Sequence, residues 1–243
     1  MMKVLHFINK IELRKYHIQG IDFELEVNSK IFPPSPHGSF FAENIRINKG
    51  DKVIDIGSGS GILGILSAKL GGIVCATDTD KDAIEITLKN AKRNGVEINA
   101  KLGEYFRPFE EENFDVIIAN LPQEIVHESY QKSIGDKLNK TISGGLDGNE
   151  QLLKMLDIAK NHMHEKSRLY IIVNTVTDYA STLKKIVSEY SAKLINFSSE
   201  PTKEFVADNI DWYLKLNEQG KIKIINKDGV WRADEYLFEL SLK

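Results

Sequence analysis

Short apolar runs alternate along this chain with stretches of helical period. Residues 52–56, 73–77, 98–102, 114–121, 168–176, 192–197 and 236–242 are short and rich in Val, Ile, Leu and Phe. Runs of that length and composition predict strands. Between them, Ala83, Ile84, Thr87, Leu88 and Ala91 fall on one helical face, after a capping Asp80 and before a stopping Gly95. Leu152, Leu153, Leu156, Ala159 and Met163 mark a second helix, entered through Asp147 or Asn149. Ala180, Leu183, Val187 and Tyr190 mark a third. Strands alternating with helices predict an α/β fold built on a parallel sheet.

The flanks carry other patterns. Residues 4–11 suit either a short helix or a strand, and residues 17–27 read as a hairpin turning at Gly20. Arg14, Lys15 and His17 form a small basic cluster, either a solvated face or part of an arm that holds a substrate. Pro33, Pro34 and Pro36 stiffen residues 32–41 and exclude helix there, with a helix following over 40–47. The connection 198–235 is longer than a hairpin needs. It predicts a helix near 206–216 and a ribbon at 221–225 that turns at Lys227, Asp228 and Gly229. Trp212 and Trp231 within it read as packing residues.

The first predicted strand runs into Gly57, Gly59 and Gly61, spaced by Ser58 and Ser60. Glycines there let a ligand lie on bare main chain at the start of a helix. About 20 residues on, Asp78 ends the next strand, where a carboxylate accepts ribose hydroxyls. The dinucleotide pattern Gly59-x-Gly61-x-x-Gly64 is present but out of register, since Gly57 holds the strand end. Asp55, two residues earlier, has no place in a dinucleotide site.

The string Asp55-x-Gly57-x-Gly59-x-Gly61 resembles the first motif of class I S-adenosylmethionine (AdoMet) methyltransferases. The resemblance implies a Rossmann-like seven-stranded sheet, mostly parallel, with strand seven antiparallel between strands five and six. It implies AdoMet as cofactor, with Gly57, Ser58, Gly59 and Gly61 at its methionine part and Asp78, with Thr79, at its ribose. Glu104, at the end of the third strand, would meet the adenine amino group, and Tyr105 or Phe106 would pack on the ring.

The fourth strand contains Val116–Ala119, an apolar run typical of a central strand, and ends in Asn120-Leu121-Pro122-Gln123. This tetrapeptide resembles the Asn-Pro-Pro-Tyr motif of methyltransferases that modify planar NH2 groups. The lone pair of such a nitrogen is delocalised, and an acceptor on each N–H would localise it and aim it at the methyl carbon. The Asn120 side-chain oxygen is one candidate acceptor. The Leu121 carbonyl is the other, because Pro122 confines Leu121 to extended geometry. Leu121 and Gln123 depart from the motif, and Gln123 replaces the aromatic that would pack on a flat target. Phe32, Pro34 and Pro36 keep the frame of the Pro-rich loop of HemK-like glutamine methyltransferases, with Phe32 and Pro34 at the cofactor. Gly144-Gly145-Leu146-Asp147-Gly148 resembles the Gly-Gly-x-Asp-Gly stretch of the same group. The polar stretch between Gln123 and Ser143 reads as a mobile cover over the substrate.

Length, charge and cysteine content narrow this further. The chain has 243 residues, 42% hydrophobic and 28% charged, with a net charge of −3. That charge argues against a partner held by bulk electrostatics and leaves room for a local basic groove. One cysteine, Cys75, admits no internal disulfide and suits a reducing cytoplasm. No histidine–cysteine cluster predicts a metal, and no apolar run approaches the ~20 residues of a membrane helix. The expected organisation is an N-terminal arm and Pro-rich cofactor loop at 1–48, then a methyltransferase domain at 49–243 with an insertion at about 198–235. The expected function is N-methylation of an amide or amine in a protein or RNA. The rivals are a small-molecule methyltransferase, a non-catalytic AdoMet-binding subunit and a nucleotide-dependent oxidoreductase. The sequence leaves open whether a second copy or a partner subunit takes part.

Overall fold

A computed structural model describes residues 11–27, 34 and 36–243. The stretch 4–10 and Phe32 lie outside the described residues. The chain divides into two compact units. The first comprises Met1–Asn120, Ile158–Tyr170 and Leu242, and the second comprises Leu121–Asp157, Ile171–Ser241 and Lys243.

The first unit opens with a hairpin that turns at Gly20 as expected but begins at Glu12 rather than at residue 17, β1 (Glu12–Ile18) and β2 (Ile21–Val27). Gln19 and Gly20 turn it at φ 51° and 75°, the paired left-handed conformation of a two-residue hairpin loop. The Gln19 side chain donates to the Ala42 and Ile45 carbonyls at 2.7 and 2.9 Å, at the end of α1 (Pro36–Asn44). That helix starts four residues earlier than the pattern suggests. Its proline falls in the first turn, where the missing N–H has no helical partner to lose.

Strands β3 (Lys52–Ile56), β4 (Ile73–Asp78), β5 (Ile98–Leu102) and β6 (Val116–Ala119) follow in the predicted places. They pair in parallel in the order β5-β4-β3-β6. Helix α2 (Ile62–Lys69) follows the glycine turn, and Ile62 through Ser67 are all buried. Helix α3 (Lys81–Arg93) begins at Asp80, whose side chain accepts from the Asp82 N–H at 2.9 Å. Ala83, Ile84, Thr87 and Ala91 are buried as expected, but Leu88 is 43% exposed, and Ile86 and Asn90 are buried in addition. Hydrogen bonding decides this. Asn90 Nδ2 donates to the Glu26 and Ser60 carbonyls at 3.1 and 2.9 Å, and its Oδ1 accepts from the Glu26 N–H at 2.8 Å. A polar group with three partners can be buried where an apolar scale would leave it in water.

The second unit carries α4 (Glu128–Ile142), α5 (Glu150–Ala159, ending in the first unit) and β7 (Arg168–Asn174, beginning there). It continues through α6 (Tyr179–Glu189), β8 (Tyr190–Pro201), α7 (Glu204–Asp208), α8 (Ile210–Glu218), β9 (Ile224–Lys227) and β10 (Val230–Leu242). Strand β10 stands between β7 and β8 as the one antiparallel strand of a mostly parallel sheet. The seven expected strands are therefore present, and β9 is an eighth, paired with β10 around Asp228 and Gly229. The stretch expected to be a polar cover contains the 15-residue helix α4. On α6, Ala180 and Val187 face outward and Thr182 and Ile186 inward, because Asn149 Nδ2 donates to Thr182 Oγ1 at 3.0 Å. Trp212 packs edge-on to His127 and Tyr213, with ring centroids 5.0 and 4.8 Å away.

Replacing Asn90 by Ala strands buried backbone groups and is expected to lower stability by on the order of 3 kcal/mol in urea unfolding. Leu88→Ala, on the same helix, is expected to change it by less than about 1 kcal/mol.

Candidate active site

The site grows from the ends of three neighbouring parallel strands in the first unit. Register pairs Ile56 with Thr77 on one side and with Ala119 on the other. Gly57, Asp78 and Asn120 therefore leave β3, β4 and β6 side by side. Gly57 and Ser58 donate their N–H groups to the Thr77 carbonyl at 2.8 and 3.1 Å, which bends the chain across the tip of β4. Gly59 (φ 53°) and Gly61 (φ 85°) then take left-handed backbone conformations. A Cβ at Gly61 would lie 3.2 Å from Thr87 Cγ2, whereas one at Gly59 would meet nothing within 4 Å. The turn is thus closed toward α3 at Gly61 and open at Gly59.

Helix α3 buttresses it. Thr87 Oγ1 lies 3.1 Å from both Ser58 Oγ and the Gly59 carbonyl, and Asn90 holds the Ser60 carbonyl. Sequence reasoning took Thr87 as part of an apolar face and passed over Asn90. Two polar residues three apart on a buried stripe were the available signal.

Two carboxylates flank the turn. Asp55 is buried; its Oδ2 accepts from the Gly64 N–H at 2.9 Å, and its Oδ1 has no partner among the described residues. Burial pushes its pKa up to about 7, partly offset by the Gly64 N–H and reinforced by the Asp78 charge. Asp78 Oδ2 accepts from the Gly59 N–H at 3.0 Å and Oδ1 from the Asp80 N–H at 2.9 Å. Burial raises its pKa, and the N–H groups of Asp80, Gly59 and Thr79 oppose the rise. A carboxylate has about four acceptor positions, so Asp78 keeps capacity for ligand hydroxyls. Thr79 itself is exposed.

At the end of β5, Glu104 is exposed and Tyr105 is buried. Tyr105 adopts φ 48°, uncommon for a residue with a side chain, and its carbonyl accepts from Thr77 Oγ1 at 2.8 Å. Burial, aided by Glu104, pushes its phenol up to about 12. Phe106 is a core residue. It stacks on His162 with ring centroids 4.1 Å apart, which takes it away from any adenine role. Asn120 is half-buried, and a Cβ added at Gly38 of α1 would lie 3.8 Å from its Nδ2. Pro34 is half-buried.

Leu121, Pro122 and Gln123 open the second unit. The first two are half-buried; Gln123 is buried, and its Oε1 accepts from the Asn174 N–H at 3.4 Å. The Gly-Gly-Leu-Asp-Gly stretch packs behind them. Gly144 donates its N–H to the Glu124 carbonyl at 3.0 Å, and a Cβ at Gly144 would be 2.8 Å from the Pro122 oxygen. Among the described residues no group of three or more His, Cys, Asp or Glu could hold a metal, and no helix is long and apolar enough to cross a membrane.

Residues 38–154 match the family model for ribosomal protein L11 methyltransferase (PrmA). The ribosomal protein L11 methyltransferase of Thermotoga neapolitana is 32% identical over 112 residues, 44% of this chain and 42% of that protein. A putative protein N5-glutamine methyltransferase of Methanocaldococcus jannaschii is 27% identical over 170 residues, 70% of this chain and 84% of that one. This chain spans half or less of the length of the L11 methyltransferases it matches. Among solved structures, the Thermus thermophilus 16S rRNA N2 G1207 methyltransferase, in complex with AdoMet and guanosine, superposes with a TM-score of 0.60 at 16% identity. It covers 96% of this chain and 51% of that one. The M. jannaschii tRNA m1G37 methyltransferase gives 0.55 at 15% identity, over 95% and 57% of the two chains. These likenesses establish a shared fold.

Asp55 makes the first unit sensitive to pH. Its folded pKa lies above its unfolded one, so its contribution favours the fold at low pH and is lost as pH rises from about 4 through about 7. Compared with Asp55→Asn, the wild type is expected to lose up to a few kcal/mol over that range, each pKa unit being worth about 1.4 kcal/mol. Urea midpoints of the two proteins at about pH 4.5 and about pH 8 check it.

Proposed function

We propose that this chain, a class I AdoMet-dependent methyltransferase with HemK-like motifs, methylates an amide or amine nitrogen in a protein or RNA. The observation that carries the reading is the side-by-side exit of Gly57, Asp78 and Asn120 from β3, β4 and β6. That arrangement sets a ligand-cradling turn beside a residue able to orient an N–H group.

The residues fit AdoMet better than a phosphate-bearing nucleotide. Asp78 is a carboxylate, Asp55 adds a part-ionised one near neutral pH, and residues 53–68 contain no Lys or Arg. A local field of that sign favours a cationic ligand. The open side of Gly59 offers bare main chain, and Asp78 offers acceptors for ribose hydroxyls. Glu104 and Tyr105 would flank the base, with Pro34 closing over the site. When bound, AdoMet supplies an electrophilic methyl group on a positively charged sulfur.

The chain's own part is positioning. Asn120 Oδ1 accepts one N–H of the target nitrogen, and the next carbonyl, that of Leu121, accepts the other. Pro122 restricts Leu121 to the extended geometry this requires, and Gln123 anchors the turn through Asn174. No strong base is needed, because the nitrogen loses a proton only once the new nitrogen–carbon bond has made it cationic and acidic, to water at the acceptor oxygens, and catalysis rests on orientation and acceptors. The relatives named for L11 and for protein N5-glutamine favour a protein acceptor over RNA. Residues 1–48 serve in this reading as arm and cofactor loop, 49–243 as the catalytic domain, and 198–235 as an insertion. A cytoplasmic setting suits the single buried Cys75.

Wild-type protein given methyl-labelled AdoMet is expected to label the protein fraction of a cell extract. Asn120→Ala is expected to cut that rate by roughly 100-fold, the scale of losing one preorganised polar contact, with AdoMet affinity by calorimetry within about twofold. A wild-type rate in Asn120→Ala, or label only in small molecules, overturns the reading.

A further inference from the structure

The 198–235 insertion has no place in the mechanism above, yet two of its side chains hold the backbone that follows Pro122. All the groups concerned lie in the second unit. Residues 123–125 are fixed from several directions. Gln123 Oε1 accepts from the Asn174 N–H, the Glu124 carbonyl accepts from Gly144, and the Ile125 N–H donates to the Val176 carbonyl at 3.3 Å. The remaining two contacts come from the insertion. Lys203 Nζ pairs with Glu124 Oε1, and Tyr213 donates its hydroxyl to the Ile125 carbonyl at 2.7 Å.

These contacts carry more than routine packing. Glu124 is only 8% exposed, and its second oxygen has no partner among the described residues. A buried carboxylate with so few partners costs stability, and its Lys203 contact is what offsets the charge. Tyr213 is fully buried, and its hydroxyl takes a carbonyl one residue past Glu124. The helices that present the two groups are locked together by rings. Phe205 of α7 lies 4.8 Å from the Tyr130 ring and 6.3 Å from the Tyr213 ring, centroid to centroid.

We infer that Lys203, through Glu124, and Tyr213, through the Ile125 carbonyl, are positioning residues that fix the Leu121–Pro122 backbone for the acceptor. The insertion thereby becomes part of the acceptor site without touching the reacting atoms. This rests on the methyl-transfer reading given above.

The full chain and its Lys203→Met, Lys203→Arg and Tyr213→Phe variants test it. Three readouts are needed: methyl transfer at saturating protein fraction, AdoMet affinity by calorimetry, and amide hydrogen exchange by peptide. Lys203→Met and Tyr213→Phe are expected to lower the saturated rate about tenfold, the effect of a small misplacement of a positioning group. AdoMet affinity is expected to stay within about twofold, since the turn at Gly57 is not involved. Exchange over 121–126 is expected to rise about tenfold, with 57–64 unchanged. Lys203→Arg keeps the charge and is expected to regain most of the rate. Tyr213→Phe conserves volume, so it guards against a Lys203 variant that fails to fold. Wild-type rates in both variants, or unchanged exchange over 121–126, overturn the inference. If the wild type labels no fraction, the methyl-transfer reading fails, and the exchange measurements alone decide whether the insertion holds the turn.

Discussion

The turn after β3 is the constraint on which the first unit depends, and hydrogen bonds from α3 keep it in place. Glycine alone would leave that segment free to collapse onto the sheet or swing into water. Thr87 and Asn90 fix the carbonyls of Gly59 and Ser60, and Asp78 takes the Gly59 N–H. Three elements thereby share a few polar contacts at one end of the sheet. The hydrophobic interior behind them, from Val53 to Ile56 and Val116 to Ala119, sets where the strands end, and the polar contacts set what happens beyond those ends.

Much of this was legible from the residues. Strand β3 was read to its boundaries because Val and Ile on both faces of a short segment leave few alternatives. The Gln19–Gly20 turn and the Asp228–Gly229 turn were legible because both need left-handed residues between alternating runs. Helix faces were read less well. On α3 and α6 the buried positions include Asn90 and Thr182, whose burial depends on partners far away in the chain. Periodicity ranks such residues as surface, and no local rule reveals the partner. The start of α1 was misplaced for a different reason: proline breaks a helix interior but is at home in the first turn.

The site divides in the same way. Glycine spacing and the two acids Asp55 and Asp78 could be located by count along the chain, because strand ends in a parallel sheet come into line. The contacts around Asn120-Leu121-Pro122-Gln123 could not. That Gly144 sits against the Pro122 carbonyl, or that Tyr213 reaches Ile125, joins segments separated by tens of residues. The glycines of 144–148 look like a helix entrance in sequence, and their packing shows a second use, since a Cβ at Gly144 or Gly148 would crowd Pro122 or Ile125.

The hairpin at the amino-terminal side has a consequence for anyone shortening this protein. Gln19 caps the far end of α1, and the near end of α1 presents Gly38 to the Asn120 amide. Cutting away β1 and β2 would remove no residue of the glycine turn, yet it would unfasten α1 from Gln19 and strip Asn90 of its Glu26 partners. A trimmed enzyme that still bound its ligand but turned over poorly would invite the conclusion that the missing piece recruits substrate. The cause would instead be a helix released from its clasp.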